Sequence, residues 1–116
     1  MVRVLIADDH PIVRQGVRQI LSATDDIVVA AEATTGRELL EQMSDAPCDL
    51  VLLDLSMPGS EGLDVLKTLR RDFAHIPVLV LTMHSEDQFA VRSLRAGAGG
   101  YLTKDSAPAE LVGAIR

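Results

Sequence analysis

Five side chains that could take part in phosphoryl chemistry stand at or just beyond the ends of short apolar runs. They are Asp8, Asp9, Asp54, Thr82 and Lys104. Converging carboxylates repel one another, and in a partly desolvated site they recruit either protons or a cation. Oxygen ligands favour a hard ion such as Mg²⁺, which commonly works with one or two carboxylates and a phosphate group. Thr82 and Lys104 would then bind the remaining phosphoryl oxygens.

Asp54 is the residue for which a purely structural role is hardest to accept. It interrupts the apolar run LVLLDL, where burial of a carboxylate without a partner would cost several kcal/mol. Taken singly, Asp8 could be a helix-cap residue, Thr82 an ordinary strand residue and Lys104 a solvated loop lysine. Their joint placement at strand ends favours one common functional site.

Five apolar runs rich in valine, isoleucine and leucine predict strands that are buried on both faces. They are VRVLIA from Val2, IVVAA from Ile27, LVLLDL from Leu50, VLVLTM from Val78 and GYLT from Gly100. The segments between them have the spacing of helices with one apolar stripe. We expect a fourth helix from about Glu86 to Ala96, and a fifth from about Ala107 to the end, with Ile115 facing inward.

Helix boundaries carry signals of their own. Thr35 with Glu38 and Ser85 with Gln88 match the capping-box pattern, and Pro11 suits the first turn of a helix. Strict alternation of strands and helices predicts a parallel sheet with right-handed crossovers and helices on both faces. We therefore predict an α/β, flavodoxin-like (βα)5 fold, a doubly wound five-stranded parallel sheet with strand order 2-1-3-4-5.

This strand order decides where the site lies. In open parallel sheets, ligands bind beyond the carboxyl ends of the strands, at the point where the strand order reverses. The first and third strands are neighbours in the predicted order, so Asp8 and Asp9 should meet Asp54 at that point. A different order would separate them.

The composition favours one soluble, folded domain. The 116 residues are 47% hydrophobic and 24% charged, and no segment approaches the length that spans a bilayer. A net charge of -6 opposes nonspecific attraction to DNA phosphates or to an anionic membrane. Cys48 is the only cysteine, which excludes an internal disulfide and favours a reducing compartment. We therefore expect a cytoplasmic protein.

The other potential metal ligands do not form a recognisable motif. His10, His75 and Cys48 lack the spacing of a zinc site. We interpret them as structural or surface residues.

Four motifs resemble the receiver domains of two-component response regulators. They are ADDHP at 7–11, LVLLDLSMPG at 50–59, PVLVLTMH at 77–84 and AGAGGYLTKD at 96–105. The resemblance covers essentially the whole chain, which we take as one receiver domain at 1–116. The residues within the motifs are most similar to those of the NarL/FixJ (LuxR-type) subfamily. It implies a signalling switch that takes a phosphoryl group from a sensor histidine kinase with Mg²⁺.

The resemblance also implies a role for each residue of the site. Asp54 would be the phosphoacceptor that attacks a phosphohistidine, and it would also contact the metal. Asp9 would bind Mg²⁺ directly and Asp8 mainly through water, while the backbone carbonyl of Ser56 would be a further ligand. Lys104 would pair with the phosphoryl group.

A conformational switch is implied as well. Thr82 would donate a hydrogen bond to the phosphoryl group and move the loop after the fourth strand, and Tyr101 would change rotamer to fill the vacated space. At the rim of the site, the side chains of Ser56 and His84 could order or exclude the hydrolytic water.

Two positions depart from the usual receiver pattern. Asp105 follows Lys104, where many receivers carry proline, and Met83 is bulkier than the small residue that often follows the switch threonine. Met83 could narrow access to the phosphoryl group.

The subfamily resemblance further implies a parent transcription regulator that contacts DNA through a C-terminal helix-turn-helix domain. We expect the chain to be cut within its fifth helix, with that domain outside it. Phosphorylation would drive a homodimer through the face formed by the fourth helix, fifth strand and fifth helix.

Two alternative functions remain open. A small Mg²⁺-dependent phosphohydrolase with an aspartate nucleophile would need a second acid two positions after Asp54, where this chain has Ser56. A phosphorylation-independent interaction module would usually lack a site residue, whereas all five expected positions are filled here. We expect a signalling domain that catalyses only its own phosphorylation and dephosphorylation and is not a conventional enzyme.

Overall fold

The described part of the chain forms a parallel sheet with helices packed against it. The computed structural model describes residues 2–45, 48–54, 62–82, 100–103, 113 and 115. The strands are β1 (Val2–Ala7), β2 (Ile27–Ala33), β3 (Leu50–Asp54), β4 (Val78–Thr82) and β5 (Gly100–Thr103). The helices assigned in these segments are α1 (Pro11–Ser22), α2 (Gly36–Asp45) and α3 (Gly62–Asp72). The strands are all parallel, in the order β2-β1-β3-β4-β5, which confirms the predicted doubly wound α/β fold.

Helices cover both faces of the sheet. Val17 and Leu21 of α1 pack against one face, while Leu39 of α2 and Leu66 of α3 pack against the other. Because successive strand residues point to opposite faces, the central strands are buried on both sides, and this explains their almost continuous apolar sequences. Leu52 in β3 is completely buried, so its replacement by alanine would cost about 2–5 kcal/mol.

The two predicted C-terminal helices fall largely outside the described residues. The fourth, at 86–96, lies wholly outside them. Within the fifth, Gly113 and Ile115 are described, and both are helical. Ile115 is buried among the residues that pack beneath α1, as its predicted inward position requires.

A β-bulge in β2 changes which side chains face α1. Val4 pairs with Val29 but Leu5 pairs with Ala31, so Ala30 is an extra residue in β2. Side chains alternate along a strand, and one extra residue therefore moves all later side chains to the opposite face. As a result Glu32 lies on the α1 side of the sheet. The sequence pattern did not predict this bulge.

The helix starts follow the predicted signals where they are described. Pro11 occupies the first turn of α1, as expected. Thr35 Oγ1 accepts a hydrogen bond from the Glu38 backbone N–H at 3.1 Å, which is the predicted cap of α2. The Glu38 carboxylate turns to Thr34 Oγ1, at 3.5 Å. The second predicted capping pair, Ser85 with Gln88, lies outside the described residues.

None of the helices in the described segments has the length and apolar character needed to cross a membrane.

Candidate functional site

Two carboxylates are buried where β1 and β3 end. Asp8 follows β1 and Asp54 is the last residue of β3, and each is 1% exposed. The two strands are neighbours, with Ala7 paired to Leu53. The backbone N–H of Asp8 donates to the Ala33 carbonyl at 3.0 Å, so β2 holds the start of the following loop. The predicted meeting of acids from distant parts of the sequence at this sheet edge is therefore observed.

Asp8, Asp9 and Asp54 form what we call the acidic cluster. Together with His10, each offers one potential ligand atom, and these atoms all lie within 4.8 Å of one another. Oxygen ligands at this density suit a hard cation such as Mg²⁺. Asp9 Oδ1 is buried and, among the described residues, has no partner in hydrogen-bond geometry, so it could accept a metal ion. The donor set therefore fits the metal that the sequence predicted.

His10 is a member of the site that the sequence reading missed. Its Nδ1 lies 2.9 Å from Asp8 Oδ1, 3.2 Å from Asp9 Oδ1 and 3.6 Å from Asp54 Oδ2. Its backbone N–H also donates to Asp8 Oδ1, at 2.8 Å. The sequence indicated only a structural or surface role for His10, and the structure places its ring beside the acidic cluster. The available signal was its position directly after two acids, at the start of α1.

The backbone of Asp8 is held by residues that the sequence did not single out. Arg14 Nη1 donates to the Asp8 carbonyl at 2.7 Å, and its Nε lies 3.2 Å from Glu32 Oε1. Arg18 contacts the other oxygen of Glu32 at 3.2 Å, and Gln42 donates to the Glu32 carbonyl at 2.6 Å. Arg14 and Glu32 are 18% and 28% exposed, so solvent screens this pair only in part. Their contact depends on the β2 bulge, which sequence spacing does not reveal.

Cys48 and His75, the other two residues that lack zinc-site spacing, lie away from the site. Cys48 is buried, with Sγ 3.6 Å from Met43 Sδ, and burial raises the pKa of its thiol. His75 is exposed in the turn before β4, at the opposite end of the strands. Both positions agree with a structural or surface role.

The structure describes two of the other predicted site residues by their backbones alone. Asp54 pairs with Leu81, and Thr82 follows it as the last residue of β4, so the Thr82 backbone lies at the same sheet edge as the acidic cluster. Tyr101 lies in β5, paired with Val80. The remaining predicted positions lie outside the described residues: Ser56, Met83, His84 and Lys104.

The fold and the site define an α/β protein of the doubly wound class with a candidate metal centre where the strand order reverses. The chain belongs to the response regulator receiver domain family, whose sequence profile matches residues 4–116. This confirms the family resemblance carried by the four sequence motifs.

Individual relatives agree with this assignment. The chain is 40% identical to the response regulator UvrY of Escherichia coli strain K12 over all 116 residues, which cover 53% of that protein. It is 42% identical to the response regulator GacA of Pseudomonas viridiflava over the same 116 residues, which cover 54% of GacA. The chain thus spans about half the length of the curated relatives it matches.

Solved structures give the same result. A two-component response regulator of the LuxR family from Aurantimonas sp. SI85-9A1 superimposes with a TM-score of 0.92 and 38% identity, over 99% of this chain and 82% of that one. The non-phosphorylated receiver domain of the stress response regulator RcsB from Escherichia coli gives a TM-score of 0.93 and 31% identity, over 98% and 89%. The chain is therefore similar to LuxR-type receivers in both sequence and structure.

Proposed function

We propose that this chain is a phospho-accepting switch in which Asp54 takes a phosphoryl group from a sensor histidine kinase with Mg²⁺. The observation that carries the proposal is the acidic cluster, in which the buried Asp54 carboxylate meets Asp8 and Asp9 at the switch point of the sheet. Membership of the receiver family supports the same function.

The chemical step is a displacement at phosphorus. A carboxylate oxygen of Asp54 attacks, and the new P–O bond forms as the P–N bond to the donor imidazole breaks. The imidazole leaves with the electrons of that bond and takes up a proton, so the product is an acyl phosphate. Asp8, Asp9 and Asp54, with the Ser56 backbone carbonyl, would hold Mg²⁺, which would offset the charge of the phosphoryl oxygens.

The response would require Thr82, Tyr101 and Lys104. Phosphorylation adds about -1.5 to -2 charges. A hydrogen bond to a charged group contributes roughly 1.5–3 kcal/mol. A shift from about 1:99 to 99:1 in population takes approximately 5.5 kcal/mol, so two or three contacts present in only one state are sufficient. The Thr82 backbone lies beside β3, which supports its assignment as one of these contacts.

The output would be regulation of transcription. In this proposal, residues 1–116 are the receiver domain of a longer cytoplasmic protein that contacts DNA through a C-terminal domain. This chain covers about half the length of the response regulators UvrY and GacA, which supports a division into a receiver domain and a second domain. Phosphorylation would favour a homodimer through the face that includes β5.

Intact mass spectrometry after incubation with acetyl phosphate tests the proposal. We expect one added phosphate on the wild type with Mg²⁺, and none when a chelator is present. Asp54→Asn should take up no phosphate, because its amide is not a nucleophile of comparable strength. Asp25→Asn is the matched control, since Asp25 is an exposed aspartate in the turn before β2. It should be phosphorylated like the wild type.

Other results would favour other functions. A wild type without an adduct would favour a phosphorylation-independent interaction module. An adduct that persists in Asp54→Asn would assign a different acceptor. Repeated turnover of a phosphate ester would favour a phosphohydrolase.

A further inference from the structure

The ring of His10 lies among the three carboxylates of the acidic cluster. Its Nδ1 contacts one oxygen of each, at 2.9 Å for Asp8, 3.2 Å for Asp9 and 3.6 Å for Asp54. The ligand atoms of the four residues lie within 4.8 Å of one another. Nδ1 is therefore within contact distance of an oxygen of every carboxylate in the cluster.

The ring is placed to act there as a hydrogen-bond donor to Asp8. An ionised carboxylate accepts hydrogen bonds but cannot donate one. With Asp8 ionised, the contact at 2.9 Å therefore requires a hydrogen on Nδ1 of His10.

A magnesium ion would need the same space. Mg²⁺ takes oxygen ligands at about 2.0–2.1 Å and has little preference for imidazole nitrogen, which suits transition metals. An N–H group directed at the carboxylates also repels a cation that approaches them. The ring in its observed position and a bound Mg²⁺ ion are therefore alternatives.

We propose that His10 is a displaceable occupant of the metal site, which holds the acidic cluster in the metal-free protein and turns towards solvent when Mg²⁺ binds. The inference rests on the proposed function, because it requires Mg²⁺ to bind this cluster. The His10 side chain is 49% exposed, so its rotation does not require the core to open. Its effect is to lower the affinity for Mg²⁺ and thus to raise the concentration at which the site fills.

Calorimetric titration with MgCl2 at one fixed pH tests this competition. We expect His10→Ala to lower the Kd for Mg²⁺ by about three- to tenfold, less than a full buried hydrogen bond to a charge would give, because the ring is half-exposed. The change should leave α1 intact, since the His10 side chain makes no cap hydrogen bond. His75→Ala is the matched control, because His75 is an exposed histidine at the other end of the strands. Its Kd should equal that of the wild type.

A fourth protein, Asp9→Asn, separates failure of this inference from failure of the proposed function. Binding that is present in the wild type, lost in Asp9→Asn, and unchanged or weaker in His10→Ala would overturn the competition and leave the metal site intact. A weaker affinity in His10→Ala would identify His10 as a ligand. Absence of binding in the wild type would overturn both proposals.

Imidazole NMR of the ¹⁵N-labelled wild type provides a test that needs no variant to fold. The chain has three histidines, so their ring signals can be assigned individually. Addition of Mg²⁺ should shift the ring signals of His10 towards those of a solvated histidine and leave those of His75 in place. An unchanged His10 ring in the Mg²⁺-saturated protein would overturn the proposal.

Discussion

At the scale of single residues, the molecule places carboxyl groups where water is largely excluded. Asp8 and Asp54 are almost completely buried, and Asp9 is half-buried beside them. Buried carboxylates persist when donors or a cation compensate for lost hydration. His10 supplies two such contacts to Asp8, and Arg14 holds the Asp8 backbone in place. The neighbours of the acids thus fix the arrangement of carboxylates that a metal ion would meet.

Arg14 is a positioning residue, and its removal should impair the site. We expect Arg14→Ala to raise the Kd for Mg²⁺ and to slow phosphorylation by acetyl phosphate, each by roughly tenfold, because the Asp8 backbone loses its tether to Glu32. Calorimetry and time-resolved intact mass measure the two effects.

The matched control for Arg14 is Arg37→Ala. Arg37 pairs with Glu41 at 3.3 Å on the exposed surface of α2, so its loss should leave both quantities unchanged. If Arg14→Ala unfolded more readily but bound Mg²⁺ and took up phosphate like the wild type, its role would be in stability alone.

The members of the site differ in how far the sequence could reveal them. Asp54 could be predicted as a site residue because burial of an unpaired carboxylate in an apolar strand would be costly. His10 was harder to predict, because its position after two acids was the only signal and its contacts depend on the direction of one side chain at the start of α1. The pairing of Arg14 with Glu32 depends on the β2 bulge, and one extra residue in a run of small apolar residues leaves no periodic signal.

At the scale of the secondary-structure elements, a polar contact joins β1 to the start of β3. The Arg3 backbone N–H donates to Asp49 Oδ2 at 2.8 Å, and the Asp49 N–H donates to the Arg3 carbonyl at 2.7 Å. The Arg3 side chain adds a bond from Nε at 3.3 Å. These contacts lie immediately before the pairing of Val4 with Leu50 and help to fix the register that brings the acids together.

This contact predicts a dependence of stability on pH. The side-chain and backbone hydrogen bonds from Arg3 hold the pKa of Asp49 below its usual range. A group whose pKa is lower in the folded state stabilises the protein above its unfolded pKa, at about pH 4, and this contribution is lost as the pH falls through the folded pKa. Asp49→Asn should therefore be slightly less stable than the wild type at pH 7. Urea unfolding at a series of pH values should show the difference disappearing in acid, and a difference independent of pH would contradict this reading.

The elements themselves could be predicted closely where they are described. Buried parallel strands require continuous apolar runs, and the five runs coincide with the five strands to within two residues. The main difference is at β2, which continues past the predicted Ala31 to Ala33. There the bulge and the hydrogen bond from the Asp8 N–H to the Ala33 carbonyl extend the pairing. The added residues, Glu32 and Ala33, are of types with low strand propensity.

At the scale of the whole molecule, the order of the strands brings the residues of the site together. Placing β3 directly beside β1 brings together segments that are far apart along the chain. The alternation of strands and helices predicts a parallel, doubly wound sheet, and the order 2-1-3-4-5 is one of the common orders of that class. The partners could not be predicted from the fold, because a kinase or a second copy recognises surface side chains that no periodic pattern specifies. The net charge of -6 opposes nonspecific attraction of this chain to DNA phosphates.

The most direct test of the central claim is to locate the phosphate on the chain. The wild type would be phosphorylated with acetyl phosphate and Mg²⁺, reduced with borohydride, which converts an aspartyl phosphate to homoserine, and digested with trypsin. The peptide from Glu38 to Lys67 contains four aspartates, at 45, 49, 54 and 64, which fragment ions distinguish. We predict homoserine at position 54 alone, and only when Mg²⁺ was present. Homoserine at another aspartate, or an unmodified peptide from a protein that carries added phosphate, would contradict the assignment of Asp54 as the phosphoacceptor.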